Sequence, residues 1–556
     1  MQISIEEALK APKKVAVDLE TTGLNYTRDS IITAGIYGEN FKHHIRFDQM
    51  SDDLKKYFCG TFFKDRQVIY HHAKFDMHFI EKFYPDIYKS SFACTMIISQ
   101  IIDNNGSHSL EVLADLLLPS ELNNEKHESN EFLKKNKTKD FTKLSPNMLG
   151  DRVEADARNT YLIFDILRPR IYSDSIYAME KEFLRRLLRI ESVGVKLDKA
   201  YLKDLEVKLS ERREVIARQY HEINLDSDKQ VRDYLYTKYP NLPILKQTPK
   251  GKPSVDIEVL EKLNLPDATA AVEHRHLTHT LSTFVTGLLE RLDDDDRLHC
   301  KFNQLGARTG RLSCEDPNLQ QIPDTEEIRR AFFGNVSVAD YSQMEAILYA
   351  CLNDDVELLE MIDAGVDLYI FLAAKLYGKK MESITDVERV DCKRLFLAKL
   401  YGLGRKAFEI RTKGIPVERV ESLFSSVQRM FNSVKSFVEV HGYVETQYGR
   451  RRLLHPNRAY IGVNTIVQGT AADILKRAIN RFPWSIVEKC KVNVHDELVF
   501  VDLTEEEKPI ALQSMILDNS RLKVSFGSGS NWFTARDKNV MKTWGWKNGS
   551  LTIIGA

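Results

Sequence analysis

The chain lacks the features that would tie it to a membrane or to an oxidising compartment. No apolar run in its 556 residues is long enough to cross a bilayer. The opening MQISIEEALK has no basic stretch leading into an apolar core, so no secretory signal is read there. The seven cysteines (Cys59, Cys94, Cys300, Cys314, Cys351, Cys392, Cys490) are odd in number and never spaced as C-x-x-C. That argues against a disulfide framework and a zinc site, and for reduced thiols in a cytosolic compartment. There is no internal repeat and no low-complexity tract. An excess of basic charge is missing too. The formal net charge of −1 speaks against a protein that merely coats nucleic acid. With 43% hydrophobic and 29% charged residues, the composition is that of an ordinary globular chain, and its length suggests three or four folding units.

Charge is present but segregated. Between Arg389 and Lys413 stand eight basic residues (Arg389, Lys393, Arg394, Lys399, Arg405, Lys406, Arg411, Lys413) against Asp391 and Glu409. Arg450-Arg451-Arg452 is a second basic knot. Such runs alone read as solvated faces. Residues 13–40 read as strands. The polar, lysine-rich 123–140 reads as a loop or exposed helix, and 241–256, rich in Pro, Gly and Lys, as irregular. Asp293–Asp296 reads as an exposed turn. Phe183, Leu184, Leu187, Leu188 and Ile190 recur at helical spacing and place an amphipathic helix over about 179–193.

Three C-terminal segments carry chemistry. In VSVADYSQME (336–345) an apolar run ends in Asp340, which puts a carboxylate at a strand end. In VNVHDELVFV (492–501) two β-type runs flank a polar centre, a hairpin with Asp496 at its turn. Two aspartates on neighbouring strands suit two hard cations, and such a pair suits in-line phosphoryl transfer. In the third segment Arg389, Lys393, Leu397 and Tyr401 recur every four residues, along one side of a helix. Thr385-x-x-Glu388 ahead of them reads as a capping box. Two cations, an apolar platform and an aromatic ring then line one face, suited to a triphosphate at one end and a base at the other.

At the N-terminus, VAVDLETTG (15–23) places Asp18 and Glu20 two apart on a strand, hence on one face. His72-Ala-Lys-Phe-Asp76 adds a third carboxylate and Asp156 a fourth. Four clustered carboxylates repel one another unless cations sit among them.

The C-terminal segments closely resemble the family A DNA polymerases, the bacterial DNA polymerase I family and its phage relatives. Asp340–Glu345 is similar to motif A, Arg389–Gly402 to motif B and His495-Asp496-Glu497 to motif C. TGRLSCEDPNLQQIP (309–323), YVETQYGRRR (443–452) and NTIVQGTAAD (464–473) fill the spaces between them. The N-terminal set resembles the DEDD 3′→5′ exonucleases.

The resemblance implies an RNase H-like α/β exonuclease over 1–172, followed by a right-hand polymerase over 173–556. Its thumb would span about 178–298, its palm 299–356 and 441–556, and its fingers 357–440. It implies Asp340 and Asp496 as metal ligands with Glu497 assisting, and Asp18, Glu20, Asp76 and Asp156 as the exonuclease ligands. Two Mg²⁺ ions per site are expected, with Mn²⁺ able to substitute. Arg389 and Lys393 would grip the incoming triphosphate. Leu397 and Tyr401 would pack on the nascent pair, and Glu345 would be the gate against a ribose 2′-OH. Gln343, His495, Arg311, Asn464, Gln468 and Arg450 would touch primer or template.

The implied partners are primer-template DNA, dNTPs and a helicase, primase or processivity factor, with no membrane. The implied setting is phage or bacterial replication in the cytoplasm, the host's if the chain is phage-encoded. The chain begins almost at the exonuclease strand, which favours a compact replicative enzyme. Leu397 and Ala398 depart from the aromatic residue and Gly usual in motif B. His72 stands where Asn is frequent. Arg152 stands where the proofreading type has the Tyr that orients the attacking water. A rival reading is an exonuclease whose polymerase half binds DNA without acting on it. Another is a single-subunit RNA polymerase, which would lack the exonuclease carboxylates and the gate-like Glu345.

Overall fold

A computed structural model of the protein describes residues 2–138, 140–547 and 550–555, without the side chains of residues 2, 3, 123–125, 127 and 405. Arg405 of the basic run and Lys139 of the polar stretch therefore lie outside the described residues. The fold is mixed α/β, built around two sheets and three sizeable apolar cores.

The first sheet holds β1 (Lys14–Thr21), β2 (Ile31–Gly38), β3 (Phe41–Arg46), β4 (Gln67–Tyr70) and β5 (Ser91–Cys94) in the order β3-β2-β1-β4-β5. The first three strands pair antiparallel and β4 and β5 add parallel, the RNase H-like arrangement. β1 is central and nearly all buried because both its faces are covered, hence its apolar VAV run. The helix Pro146–Leu167 packs on β2 and β1. It can come that close because residue 35 is glycine: a Cβ there would stand 2.2 Å from the Val153 carbonyl oxygen.

Next come two ribbons, β6 (Val195–Lys196) with β7 (Arg297–Leu298) and β8 (Lys301–Asn303) with β9 (Ser313–Glu315). The long strand β10 (Phe333–Ser342) then opens the second sheet. After the ribbon of β11 (Tyr443–Glu445) and β12 (Arg451–Leu453), that sheet is completed by β13 (Cys490–Val494), β14 (Glu497–Val501), β15 (Lys523–Asn531), β16 (Lys542–Lys547) and β17 (Ser550–Gly555). Its order is β13-β14-β10-β15-β16-β17, antiparallel throughout.

Helices fill the intervals. From Lys199 to Leu289 they form an arm whose tip has its own core around Val231, Leu235, Leu260 and Ala271. From Val356 to His441 five helices lie between β10 and β11. The amphipathic helix begins earlier than its apolar spacing implies, at Asp174, where Ser173 caps it, and runs to Val193. It serves two cores. Ile176, Tyr177, Leu184 and Leu188 pack with the first sheet, and Phe183, Leu187 and Ile190 with the second.

The 123–140 stretch holds the expected, largely exposed helix, with two buried residues at its start. A 3₁₀ turn (Ser120–Lys126) leads into the helix His127–Lys135, and Lys126 and Ser129 are buried. Burial follows from what lies beneath, since Lys126 meets the carboxylates of β1 and of the helix Pro146–Leu167.

Candidate active sites

The polymerase-like site begins with β10, which carries Asp340 to the sheet's end. Cross-strand pairing sets Asp340 opposite Glu497 on β14. Asp496 sits in the tight turn between β13 and β14, which closes because His495 takes a left-handed φ of 55°. Its carbonyl accepts a hydrogen bond from Tyr341 N at 3.3 Å, which ties the turn to the strand bearing Asp340. Asn493 braces the hairpin from inside, donating to the carbonyls of His495 (3.1 Å) and Glu497 (3.3 Å). Burial pushes Asp340 up to about 7, Glu497 adds to the rise and Arg536 opposes it. Burial also raises Asp496, against Arg311. Carboxyl groups held this way gain from a cation, and oxygen donors on adjacent strands suit a hard divalent one.

The facing helix is the basic one. It spans Asp386–Leu400, and its capping box is formed: Thr385 Oγ1 accepts from Glu388 N (3.2 Å) and Glu388 accepts from Thr385 N (3.0 Å). Tyr401 closes its C-terminus. Arg389 is held by Asp367 (3.1 and 2.6 Å), and both Arg389 and Lys393 lie over the Tyr369 ring. A cleft of about 450 Å³ is lined by both aspartates together with Lys393, Leu397, Tyr401, Glu345 and Arg311. Glu345 is gripped from two sides, by the Arg311 guanidinium and the Tyr401 hydroxyl. Gln343, at a left-handed φ of 56°, accepts from Leu368 N at 3.0 Å. Asn464 and Gln468 stand one turn apart on the helix Gly462–Arg481, both part-exposed.

Two of the expected site residues are engaged within the chain. Arg450, expected to touch primer or template, is buried and ion-paired with Glu180 and Asp473. Glu497 lies beside Asp340, but its carboxylate is engaged by Trp532 Nε1 (2.8 Å) and Arg536 Nε (2.9 Å).

In the N-terminal part, β1 delivers Asp18 and Glu20 on one face, and the helix Pro146–Leu167 delivers Asp156. One carboxylate oxygen from each lies within 4.8 Å of the others. No other group of three or more such ligands forms among the described residues. Asp76, on the helix Ala73–Glu81, lies outside that triad but near it. Burial raises its carboxyl well above the usual range, and Asp18 adds to this. Burial, then Glu20, pushes Asp18 to about 7. Arg152 Nε donates to Glu20 Oε1 at 2.7 Å, and Lys126 pairs with Asp156. The donor set is all carboxylate oxygen, which fits a hard divalent cation.

A family model described as DNA polymerase family A matches residues 196–534, more than half of the chain. The chain belongs to DNA polymerase family A. A second model, for a 3′-5′ exonuclease, matches residues 2–171. Among relatives, DNA polymerase I of Borreliella burgdorferi is 28% identical over 585 aligned positions, covering 95% of this chain and 63% of that one. The thermostable DNA polymerase I of Thermus thermophilus is 32% identical over 403, covering 65% and 48%. That of Thermus aquaticus is 31% identical over 438, covering 71% and 51%. The chain thus spans about half the length of the curated relatives it matches. The fold is similar to a solved structure, the POL domain of Pol1 from M. smegmatis in complex with DNA primer-template and dNTP. The TM-score is 0.76 at 24% identity, with 96% of this chain and 97% of that one covered.

In this family A chain, some residues at the sites gave no sequence signal. Asp367 caps the helix Leu368–Tyr377 and holds Arg389. A capping Asp before an apolar helix was readable, but its distant partner was not. Burial raises Glu497, and Arg536 and Arg329, which are far apart in the chain, oppose the rise. Lys126, in a run of polar residues, gave no sign of meeting Asp156.

Proposed function

We propose that this chain is a template-directed DNA polymerase with a 3′→5′ proofreading exonuclease, acting on primer-template DNA and dNTPs with Mg²⁺. The observation that carries the reading is the single cleft lined by Asp340, Asp496, Lys393, Leu397 and Tyr401. Residues 1–172 are read as the exonuclease, the helices of 178–298 as thumb, 299–356 and 441–556 as palm, and 357–440 as fingers. Asp340 and Asp496, and separately Asp18, Glu20, Asp76 and Asp156, would hold divalent cations, whose chemistry when bound would be to acidify an attacking oxygen and neutralise the leaving phosphate.

The remaining work falls to the chain. Lys393, with Arg389 once Asp367 releases it, fixes the triphosphate. Leu397 and Tyr401 form the platform under the nascent pair. Glu345, clamped by Arg311 and Tyr401, fills the space a 2′-hydroxyl would need. Gln343, His495, Arg311, Asn464 and Gln468 stand where primer and template pass.

The test is a 5′-labelled primer on a longer template, with Mg²⁺, with and without dNTPs. Extension with dNTPs and shortening without them are expected. Shortening in both lanes would mean a polymerase half that only binds DNA, and an unchanged primer in both would overturn the proposal.

A further inference from the structure

The carboxylates of the N-terminal cluster already have two cations among them. Arg152 is fixed at several points. It donates to Glu20 Oε1 (2.7 Å) and to Asn130 Oδ1 (2.8 Å), its guanidinium lies 4.8 Å from the centre of the Phe141 ring, and it sits one helical turn before Asp156. Its departure would break all of these contacts at once. Lys126 is held differently. It ends the 3₁₀ turn Ser120–Lys126, on a different segment from every carboxylate, and reaches Asp156 with a flexible four-carbon stem. The side chain is buried, and Asp18, Glu20 and Glu111 also face its ammonium. Lys126 therefore stands against one of the three ligands that converge within 4.8 Å.

Charge counting shows what this means. Fully ionised, as a cation would require, four carboxylates carry four negative charges, and Arg152 and Lys126 cancel two. A divalent cation entering with both in place meets half the charge that attracts it, and one of its oxygen ligands is already engaged. Two like charges close together in a partly desolvated site repel strongly. One must give way, and Lys126, held by fewer contacts than Arg152, is the one that yields.

We propose that Lys126 is a tethered counter-cation of the exonuclease cluster: it holds the carboxylates together while no metal is bound, and a divalent cation must displace it from Asp156 to bind. Metal affinity at this site is accordingly set by the competition with Lys126. The proposal rests on reading the cluster as the exonuclease site.

The test measures Mn²⁺ binding by the loss of its free electron-paramagnetic-resonance signal. It uses the full chain with Asp340→Asn and Asp496→Asn, so that the other acidic centre is silenced. In this background Lys126→Gln is expected to bind Mn²⁺ at least about tenfold more tightly, the size of effect seen when groups flanking metal ligands change. Lys126→Arg, which keeps the competing charge, should bind no more tightly than the starting protein. Without metal, Lys126→Gln should unfold at lower temperature than the starting protein, and Mn²⁺ should close that gap. Equal or weaker Mn²⁺ binding by Lys126→Gln would overturn the proposal. Mn²⁺ binding that survives Asp18→Asn would instead overturn the reading of the cluster as a metal site, and the proposal with it.

Discussion

Glu345 does two jobs at once. Its carboxylate anchors Arg311 and the Tyr401 hydroxyl, and its bulk occupies the floor of the cleft beside Asp496. Glu345→Ala should raise the incorporation of ribonucleotides relative to deoxynucleotides by roughly 10–200-fold, the range in which a pocket discriminates by shape alone. The measurement is the ratio of kcat/KM for the two nucleotide classes, and an unchanged ratio would count against the gate. Deoxynucleotide incorporation should fall as well, because Tyr401 loses its anchor. Asp496→Ala removes a carboxylate on which charge neutralisation depends. Primer extension should drop by about three orders of magnitude, as when a preorganised electrostatic contact is lost, while primer shortening persists. Single residues also mark where the sequence misleads. Arg450 sits in a run of three arginines that by itself reads as a solvated face and by resemblance as a DNA contact. Its partners Glu180 and Asp473 are 270 and 23 residues away, and no local pattern announces a distant carboxylate.

Local signals served best for whole elements. The capping box before Arg389 and the period-two spacing of Asp18 and Glu20 each depend on neighbours in the chain, and both were legible. Thr385→Ala should cost about 1 kcal/mol, read as a lowered unfolding midpoint in urea. Packing between elements was not legible. The approach of the helix Pro146–Leu167 to β2 depends on Gly35, where any Cβ would collide with backbone rather than with a yielding side chain. Gly35→Ala must push that helix off the sheet and carry Asp156 with it. The expected cost is about 1–3 kcal/mol of stability, together with a fall in primer shortening larger than any fall in extension. Equal losses in both would show the collision is relieved elsewhere. The 3₁₀ turn ending at Lys126 was missed for the same reason. A polar stretch reads as solvated unless the carboxylates beneath it are known.

On the scale of the molecule, the two sheets are joined through a buried ionic cluster on the helix Asp174–Val193. Glu180 Oε1 meets both Arg450 and Lys476 (2.6 Å for the latter), and Gln304 donates to Glu180 Oε2 at 2.7 Å. Burial by itself would raise Glu180, but Lys476 and Arg450 outweigh it and hold the carboxyl below its ordinary value near 4.5. A carboxyl lowered by folding adds stability that is complete above its unfolded value and is lost as pH falls through its folded one. Urea midpoints should therefore decline as the solution is acidified below about pH 4.5, and Glu180→Gln should flatten that decline. At neutral pH the same substitution should cost about 3–5 kcal/mol, because Arg450 and Lys476 are then left with Asp473 as their one buried counter-charge.

The helix that carries Glu180 also bears on how the chain is made. The first sheet cannot close its core until Ile176, Tyr177, Leu184 and Leu188 have been synthesised, so a nascent chain stopped at 172 is an unfinished unit. By Val193 that unit can be complete, yet Phe183, Leu187 and Ile190 belong to a second core whose other members are still to be made, the helix Gly462–Arg481 that packs on this one among them. For most of its time on the ribosome the protein therefore exposes a greasy seam whose main cover, the helix Gly462–Arg481, is made late, and its yield in a cell should depend on whatever shields nascent chains.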